Sequence, residues 1–347
     1  MKRTSLLVLS VMIIVAMLAA CTPTATQAPA AAAPAIKANK DLKFVTVVKS
    51  IAFNWFKRME VGVLQFGTET GVKASQEGPD TGDVAKQIGI VEDLLAQGVD
   101  ALLIVPNQTE PMEPVMKKAQ AAGVIVVTHE ASNVTNASYD IEAFDNKAYG
   151  EMLMQDMAKC MGEKGVYTEF VGKKQATTHM EWANAAIAYQ KAHYPNMTLY
   201  SGDVVETSED QEISYSKMKA ILLAEPNIKG MQGADAGAVV GAGRAVEEAG
   251  LGGKICIYGT SIPSYAGDLA KKGVIQEFTA WDPAMAGKAM NVVALKIIKG
   301  EPITDGMDLG VLGYEKIKIL TNTNGAKVIY GSAWLKMNKD NMDQYAF

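Results

Sequence analysis

The sequence predicts an α/β fold of two domains, each a parallel sheet flanked by helices. Strand-like and helical segments alternate from Lys43 onward without hairpin signals, which is typical of parallel strands joined by right-handed crossovers. The alternation starts again after Ala143–Asn146, as if the sheet were built twice. The chain has 347 residues, more than one ordinary hydrophobic core accommodates. Two domains are therefore expected.

The first strand–helix unit runs from Lys43 to Gly71. Phe44–Val48 has the β-branched composition of a buried parallel strand. A helix is predicted after it, because apolar residues recur at the spacing of one helical face: Trp55, Met59, Gly62, Val63 and Phe66. In open α/β sheets, ligands bind outside the carboxyl ends of the strands. The residues that follow this strand are therefore candidate ligand contacts: Lys49, Asn54, Trp55 and Phe56.

The rest of the first domain follows the same alternation. Strands are predicted at Val72–Gln76, Ala101–Val105, Val124–Thr128 and Tyr139–Ile141. One helix has Asp83 as a candidate N-cap and ends at Gly98, and a second runs from Pro111 to Ala122 and stops at Gly123.

The second half has its own series of elements. Strands are predicted at Val166–Val171, Thr198–Val205, Ile228–Gln232, Ile255–Tyr258 and Ile275–Ala280. Helices are predicted between them at Thr178–His193, Asp210–Ala224, Gly237–Ala249 and Ser264–Lys272, and a further helix at Pro283–Lys299. Strand-like stretches follow at Glu315–Leu320 and Lys327–Tyr330, and the tail from Trp334 has no assigned element. The predicted domains are residues 43–143 with 283–308, and residues 144–282 with 309–347.

The N-terminus has the pattern of an export signal. Lys2 and Arg3 precede an apolar run, and Leu18–Cys21 resembles the lipobox that is cleaved before a diacylated cysteine. A transmembrane helix or an ordinary signal peptide is the alternative, but the run is short for a membrane span. Residues 22–42, rich in Ala, Pro and Thr, are predicted to be a flexible tether. We expect an extracytoplasmic protein attached to the membrane only through the lipid on Cys21.

Charge and cysteine content restrict the classes of partner. Without residues 1–21, which contain two basic and no acidic residues, the 33 basic residues become 31 against 38 acidic ones, a net charge of −7. This balance argues against nucleic acid as a partner. Cys160 and Cys256 have no metal or redox spacing, and two free thiols are predicted rather than a disulfide. The three histidines show no metal spacing either, so neither a metal nor a cofactor is expected.

Several short motifs stand in the order found in one family. Val48–Lys49 precedes the aromatic pair Trp55–Phe56, a Gly-x-Ser-x-Pro-like turn spans Gly259–Pro263, and Trp281–Asp282 opens a helix. The ending Asn341–Phe347 is similar as well. Together these motifs resemble the periplasmic sugar-binding proteins of ABC importers, of the ribose and galactose type, and within them the branch of autoinducer-2-binding and rhamnose-binding receptors. The resemblance covers residues 43–347.

The resemblance implies the type I periplasmic binding protein fold, with two Rossmann-like domains joined by a hinge of several strands. It also implies a sugar-like ligand, permease subunits as partners, a monomer and no catalysis. Lys49, Asp235 and Ala236 match the residues that the autoinducer receptors use. Glu130 stands where those receptors have Asp, while Thr178 and His179 replace their Asp–Gln pair. A sugar or polyol is therefore at least as well supported as the autoinducer.

Each candidate residue also has a structural interpretation. Glu130 and Asp235 follow strands in opposite halves and are expected to face each other across a cleft, yet Asp235 could instead cap a helix. Asp282 before Pro283 is likewise a typical helix start. Trp55 and Phe56 could stack on a sugar ring, or one of them could belong to the core. Trp281, at a strand end, is expected at the cleft.

Three other functions have sequence requirements of their own. An enzyme would need a nucleophile with its base, or a set of metal ligands, and the sequence has neither motif. A DNA-binding regulator would carry a pair of DNA-binding helices where the export signal stands. A receptor that passes its ligand signal to a signalling partner, instead of a permease, fits the same sequence.

Overall fold

The computed structural model describes residues 37–345 and 347. The predicted lipoprotein signal, Cys21 and most of the predicted tether lie outside the described residues. The last tether residues differ from the prediction, because Asn39–Asp41 form a 3₁₀ turn and Leu42 is buried. Among the helices of the described part, none is both long enough and apolar enough to cross a membrane.

The described part contains the following helices: α1 (Asn54–Thr70), α2 (Val84–Gln97), α3 (Thr109–Ala121), α4 (Asn146–Met161), α5 (Thr177–His193), α6 (Gln211–Ala224), α7 (Ala238–Glu248), α8 (Pro263–Lys271) and α9 (Pro283–Ile298). The strands of the first half are β1 (Lys43–Val47), β2 (Lys73–Glu77), β3 (Ala101–Ile104), β4 (Ile125–His129) and β5 (Tyr139–Glu142). The remaining strands are β6 (Gly165–Val171), β7 (Met197–Leu199), β8 (Val205–Glu206), β9 (Ile228–Gly233), β10 (Cys256–Gly259), β11 (Phe278–Ala280), β12 (Lys318–Thr321), β13 (Lys327–Tyr330) and β14 (Leu335–Met337).

The first lobe is built on a seven-stranded sheet in the order β12-β13-β5-β4-β3-β1-β2. All neighbouring strands are parallel except β12, which is antiparallel to β13. Helices α1 and α9 cover one face, and α2 and α3 cover the other. Gly62 allows α1 and α9 to touch, because a Cβ atom there would lie 1.7 Å from the carbonyl oxygen of Ala284.

The hairpin β12–β13 belongs to this first sheet. The sequence prediction had assigned residues 309–347 to the second domain, but Val328 and Ile329 pair in parallel with Asp140 and Ile141 of β5. Both apolar residues are fully buried there, and they cover an edge of β5 that would otherwise be unpaired. Hydrophobic periodicity identifies a strand but not the sheet edge that it joins.

The second lobe is built on a smaller parallel sheet in the order β10-β9-β6-β7, with β8 paired to the end of β6. Helices α4 and α5 pack together on this sheet, and α6 and α7 form a second packed pair. Cys160 of α4 and Cys256 of β10 form a disulfide, with their Cα atoms 6.0 Å apart. The prediction of two free thiols is therefore wrong. The packing of α4 on β10 brings together two residues that are 96 positions apart in sequence.

The polypeptide crosses between the lobes in three segments, residues 142–146, 280–283 and 330–335, which we call the hinge. Two of these segments are hydrogen-bonded to each other, because Gly331 N donates to Glu142 O and Ala333 N donates to Ala143 O, both at 2.9 Å. Beside them, β14 pairs in antiparallel orientation with β11. The hinge thus joins two lobes whose strands end on either side of a cleft.

Candidate ligand-binding site

A cavity of about 260 Å³ lies between the two lobes. This volume is slightly below the usual range for ligand pockets, about 300–1,000 Å³, and suits one small molecule. The first lobe and the hinge contribute Lys49, Phe53, Trp55, Phe56, Glu130 and Trp281 to its wall. The second lobe contributes His179, Trp182, residues 209–212, residues 234–237, Thr260 and Tyr265. The wall therefore combines aromatic rings with carboxylates and one ammonium group.

Lys49, two residues beyond β1, is the ammonium group of the cavity. Its side chain is only 3% exposed, and Nζ lies 2.6 Å from Glu130 Oε2 and 3.3 Å from Glu209 Oε1. Burial alone would lower the pKa of Lys49, but the attraction of the two carboxylates outweighs burial and raises this pKa above its usual value. The ion pair with Glu209 joins the first lobe to the second.

Glu130 directly follows β4 and has a left-handed backbone conformation, with φ = 59°. Burial opposes the charged form of its carboxyl group, but nearby Lys49 more than compensates and lowers the pKa to about 2. Glu130 therefore remains a carboxylate at neutral pH. The preceding His129 is fully buried, and its Nδ1 lies 2.5 Å from the carbonyl oxygen of Ile141.

The aromatic part of the wall surrounds Trp281, whose residue is 2% exposed. Its ring meets that of Trp55 edge to face with centroids 4.7 Å apart, and that of Trp182 at 5.7 Å. Trp182 is held in place by a hydrogen bond of 2.8 Å from its Nε1 to Asn146 Oδ1. Such rigid rings offer apolar surface to a ligand with little loss of side-chain entropy.

Asp235, beyond β9, lines the cavity and also caps a helix. Its Oδ1 accepts hydrogen bonds from the backbone N–H groups of Gly237 and Ala238, and Oδ2 accepts one of 2.7 Å from Thr207. Burial raises the pKa of Asp235 to about 6, and these hydrogen bonds limit the rise. Asp235 therefore caps the start of α7, as its structural interpretation predicts, and also lies at the cavity wall.

His179 also lines the cavity, near the start of α5. Burial, together with the nearby Lys49, lowers its pKa to about 4, so the ring is neutral at pH 7. Its Nδ1 has no hydrogen-bond partner among the described residues. The preceding Thr178 is turned elsewhere and donates to Glu142 Oε1 at 3.0 Å.

Of the candidate residues named from the sequence, eight lie at the cavity wall: Lys49, Trp55, Phe56, Glu130, His179, Asp235, Ala236 and Trp281. Three do not. Thr178 bonds to Glu142, as above, and the backbone N–H of Asn54 donates to Tyr265 Oη at 2.8 Å. Asp282 caps α9 through Ala284 N and accepts two hydrogen bonds from Arg58.

Sequence reasoning missed several residues of the wall. Trp182 lies in the middle of α5, where its spacing indicates a core residue. Tyr265, in the first turn of the helix after β10, could have been found by the strand-end rule that selected Lys49. Glu209 lies in the loop between β8 and α6, where the sequence Ser-Glu-Asp indicates only a polar turn before a helix cap.

Further contacts hold the lobes together around the cavity. Lys173 of the second lobe donates to Gly82 O at 2.8 Å and to Asn107 Oδ1 at 2.6 Å in the first lobe. The hydroxyl groups of Thr109 and Thr177 are 2.8 Å apart. The structure is therefore a closed state of the cleft.

Two α/β lobes, a three-segment hinge and an enclosed cleft define the class of two-lobed solute-binding proteins. Comparison with family models gives a match to the periplasmic binding protein domain over residues 44–302, and the chain belongs to that family. The predicted resemblance and the predicted fold class are thereby confirmed.

Individual relatives are more distant. The chain is 26% identical over 237 residues to a D-apiose import binding protein of Actinobacillus succinogenes, covering 66% of this chain and 73% of the relative. It is 28% identical over 223 residues to a ribose import binding protein of Bacillus subtilis, covering 64% of this chain and 70% of the relative.

Two solved structures share the fold. One is a protein from Clostridium saccharobutylicum in complex with AI-2, with a TM-score of 0.81, 21% identity, and coverage of 88% of this chain and 100% of that one. The other is a solute-binding protein from Clostridium phytofermentas with bound L-rhamnose, with a TM-score of 0.81, 21% identity, and coverage of 88% and 98%. At this identity the likeness concerns the fold alone.

Proposed function

We propose that this protein is the extracytoplasmic solute-binding component of an ABC importer and closes its lobes around one small sugar or sugar-like molecule. The observation that carries the proposal is the interlobe cavity, to which both lobes contribute carboxylates and aromatic rings around Lys49. Carboxylates accept hydrogen bonds from hydroxyl groups, and aromatic rings cover the apolar face of a sugar. The names of the relatives, import binding proteins for D-apiose and ribose, support the same class of ligand.

The mechanism is a shift of population between an open and a closed state. A ligand favours closure only through contacts that differ between the two states, and residues from both lobes supply such contacts here. A site that satisfies hydroxyl groups leaves buried groups unpaired when an analogue lacks one, which gives specificity. The closed protein would then present its ligand to the permease, with no bond made or broken.

The ligand range that we propose includes rhamnose, pentoses, polyols and autoinducer-2. We also propose that the mature protein is a monomer anchored through a lipid on Cys21. The disulfide Cys160–Cys256 supports an oxidising compartment outside the cytoplasm. A receptor for signalling or for quorum-signal uptake is the alternative. An enzyme is less well supported, because the matched family and the named relatives are binding proteins.

A thermal-shift screen tests the proposal. The full chain, purified in mild detergent, is heated with L-rhamnose, D-ribose, D-xylose, xylitol and autoinducer-2 in turn. A ligand at a hundred times its dissociation constant stabilises the folded state by about 2.7 kcal/mol, which raises the melting temperature measurably. We expect a selective shift with one member. The absence of any shift, together with no small molecule released from the denatured protein in mass spectrometry, would contradict the proposal.

A further inference from the structure

The loop between β8 and α6 places a second carboxylate beside Lys49. Glu209 lies in the second lobe and lines the cavity, and its side chain is 11% exposed. Its Oε1 is 3.3 Å from Lys49 Nζ of the first lobe. Lys49 therefore lies between two carboxylates, Glu130 from its own lobe and Glu209 from the opposite one.

The backbone around Glu209 is specialised for this position. Ser208 and Glu209 are both left-handed, with φ of 58° and 60°, a conformation that is uncommon for residues other than glycine. Such strain persists only where the surrounding structure enforces it. Here the loop is fixed to β6, because Thr207 N donates to Val171 O at 2.9 Å and Ser208 N donates to Gly172 O at 2.8 Å.

Gly172 provides the room for this arrangement. A Cβ atom at position 172 would lie 2.5 Å from Cγ of Glu209 and 3.0 Å from Nδ1 of His179. Any side chain there would displace one or both of these cavity residues. The absence of a side chain at Gly172 thus allows both Glu209 and His179 to lie at the cavity.

Glu209 differs from the other carboxylates with which the second lobe lines the cavity, because Asp210 caps α6 and Glu212 pairs with Arg244. Thr178 stands where the resembled receptors have an Asp, and its hydroxyl is bonded to Glu142. Asp235 already accepts three hydrogen bonds from the protein itself. A carboxylate in a ligand site accepts a hydroxyl proton well, and Lys49 has three donors, of which two are used by Glu130 and Glu209.

Glu209 also contributes to the excess of acidic groups over basic groups in the cavity wall. Two carboxylates surround one ammonium, and Asp210 and Asp235 add further acidic groups to the wall. An uncharged ligand can donate to the carboxylates and accept from Lys49 without a charge penalty. A ligand carboxylate or phosphate would instead face Glu130 and Glu209 at close range in a closed, poorly solvated cleft.

We propose that Glu209 is the carboxylate of the second lobe that accepts a hydrogen bond from a hydroxyl group of the ligand. Together with Glu130, it makes the cleft selective for uncharged polyhydroxylated ligands over their acid derivatives. The inference rests on the proposed function, because it concerns the same cavity. To the proposed function it adds Glu209 as the residue that determines the preference for uncharged ligands, and sugar acids as the class of compound that is rejected.

The test compares sugars with their matching aldonates in the full-length protein. Wild type, Glu209→Gln and Glu163→Gln are titrated by calorimetry with L-rhamnose and L-rhamnonate, D-ribose and D-ribonate, and D-xylose and D-xylonate. Glu163 is a matched control, because it is an exposed glutamate of the second lobe with the same left-handed backbone, φ = 57°, and it does not line the cavity. Melting temperatures without ligand verify that each variant is folded.

We expect wild type and Glu163→Gln to bind one sugar at least tenfold more tightly than its aldonate. Glu209→Gln should bind that sugar about tenfold more weakly, as expected for loss of a hydrogen bond to a charged group, and its sugar-to-aldonate ratio should fall. A merely structural role for Glu209 would weaken both ligands equally. An unchanged affinity and ratio in Glu209→Gln, or a wild type that prefers the aldonate, would overturn the inference alone. If wild type bound no member of any pair, shifted with no compound of the thermal-shift screen and released no small molecule on denaturation, the proposed function would fail with it.

Discussion

At the scale of single residues, Lys49 determines the electrostatics of the cleft. Its ammonium group stabilises Glu130 as a carboxylate although both side chains are nearly inaccessible. Removing one partner of a buried ion pair costs more than the pair itself contributes, because the remaining charge is left without solvent or a counterion.

We predict that Lys49→Met lowers the free energy of unfolding by about 3–5 kcal/mol and abolishes ligand binding. The unpaired Glu130 would also take up a proton at a higher pH, because the attraction that lowers its pKa is gone. Urea unfolding and calorimetric titration measure the two effects. Lys118→Met is the control, since Lys118 forms an exposed pair with Glu92 that contributes about 1 kcal/mol or less. Equal stability losses in the two variants would contradict the prediction.

The strand-end rule accounts for the site residues that could be predicted from the sequence. Lys49, Glu130 and Asp235 all follow parallel strands, and the structure places each at the cavity. Glu209 also follows a parallel strand, β8, but the rule does not distinguish it from the other acidic residues of that segment, because its position depends on a left-handed loop and on the space at Gly172. Nothing in the local pattern distinguishes it from any other loop glutamate.

At the scale of elements, the start of α9 illustrates how one sequence pattern supports two interpretations. Asp282–Pro283 is a typical helix start as well as a motif of the resembled family. In the structure, Asp282 caps the helix and binds the guanidinium group of Arg58 from α1, so that two helices of the first lobe are joined. Its carboxylate does not line the cavity between the lobes.

We therefore predict that Asp282→Ala lowers stability by about 0.5–2 kcal/mol, the usual cost of losing a helix cap, but changes ligand affinity less than twofold. Denaturant unfolding and calorimetric titration of the same preparation separate the two quantities. Asp282→Asn, which can still cap the helix, should recover part of the stability. A tenfold loss of affinity in Asp282→Ala would contradict the prediction and indicate that Asp282 takes part in ligand binding.

The sequence predicts which segments form strands and helices more reliably than it predicts which elements pair or pack with each other. The predicted strand Lys327–Tyr330 is present with the same bounds, but its place beside β5 was not predicted. The same holds for Cys160 and Cys256, whose proximity results from the packing of α4 on β10. Local patterns carry the type of an element, whereas long-range pairing depends on the whole core.

At the scale of the whole molecule, a pair of buried carboxyl groups lies where the first lobe meets the hinge. Asp140 and Glu142 of β5 are each 1% exposed. The side chains that reach them are the hydroxyl groups of Thr128 and Thr178, and Glu130 and Glu181 add like charge nearby. Burial and these neighbouring acids raise the pKa of Asp140 to about 7 and raise that of Glu142 as well.

The sign of the resulting pH dependence follows from proton binding. Between the ordinary Asp pKa near 4 and the folded value near 7, the folded protein holds more protons at Asp140 than the unfolded chain does. The contribution of Asp140 to stability is therefore present at low pH and is lost as the pH rises through this window. His179 acts in the opposite direction, because its pKa is lowered to about 4. A comparison with a variant of Asp140 isolates the carboxyl group.

We predict that Asp140→Asn, which resembles the protonated acid, is more stable than wild type at pH 8 by roughly 3–4 kcal/mol. The difference should shrink to about 1–2 kcal/mol at pH 5, where the carboxyl group is protonated in the folded protein but still ionised in the unfolded chain. Urea unfolding at pH 5, 6, 7 and 8 gives the difference directly. A difference that stays constant over this range would show that Asp140 does not titrate with the fold.

The placement of β12 and β13 also bears on the order in which the molecule can be completed during synthesis. All strands of the second sheet lie within residues 165–259, so that lobe has its whole sheet before the chain is finished. The first lobe, whose opening strands are made earliest, lacks α9 until residue 298 and β13 until residue 330. The lobe that begins the fold is therefore the last to have its complete sheet. A product truncated before residue 318 would leave an open edge at β5 with a tendency to aggregate.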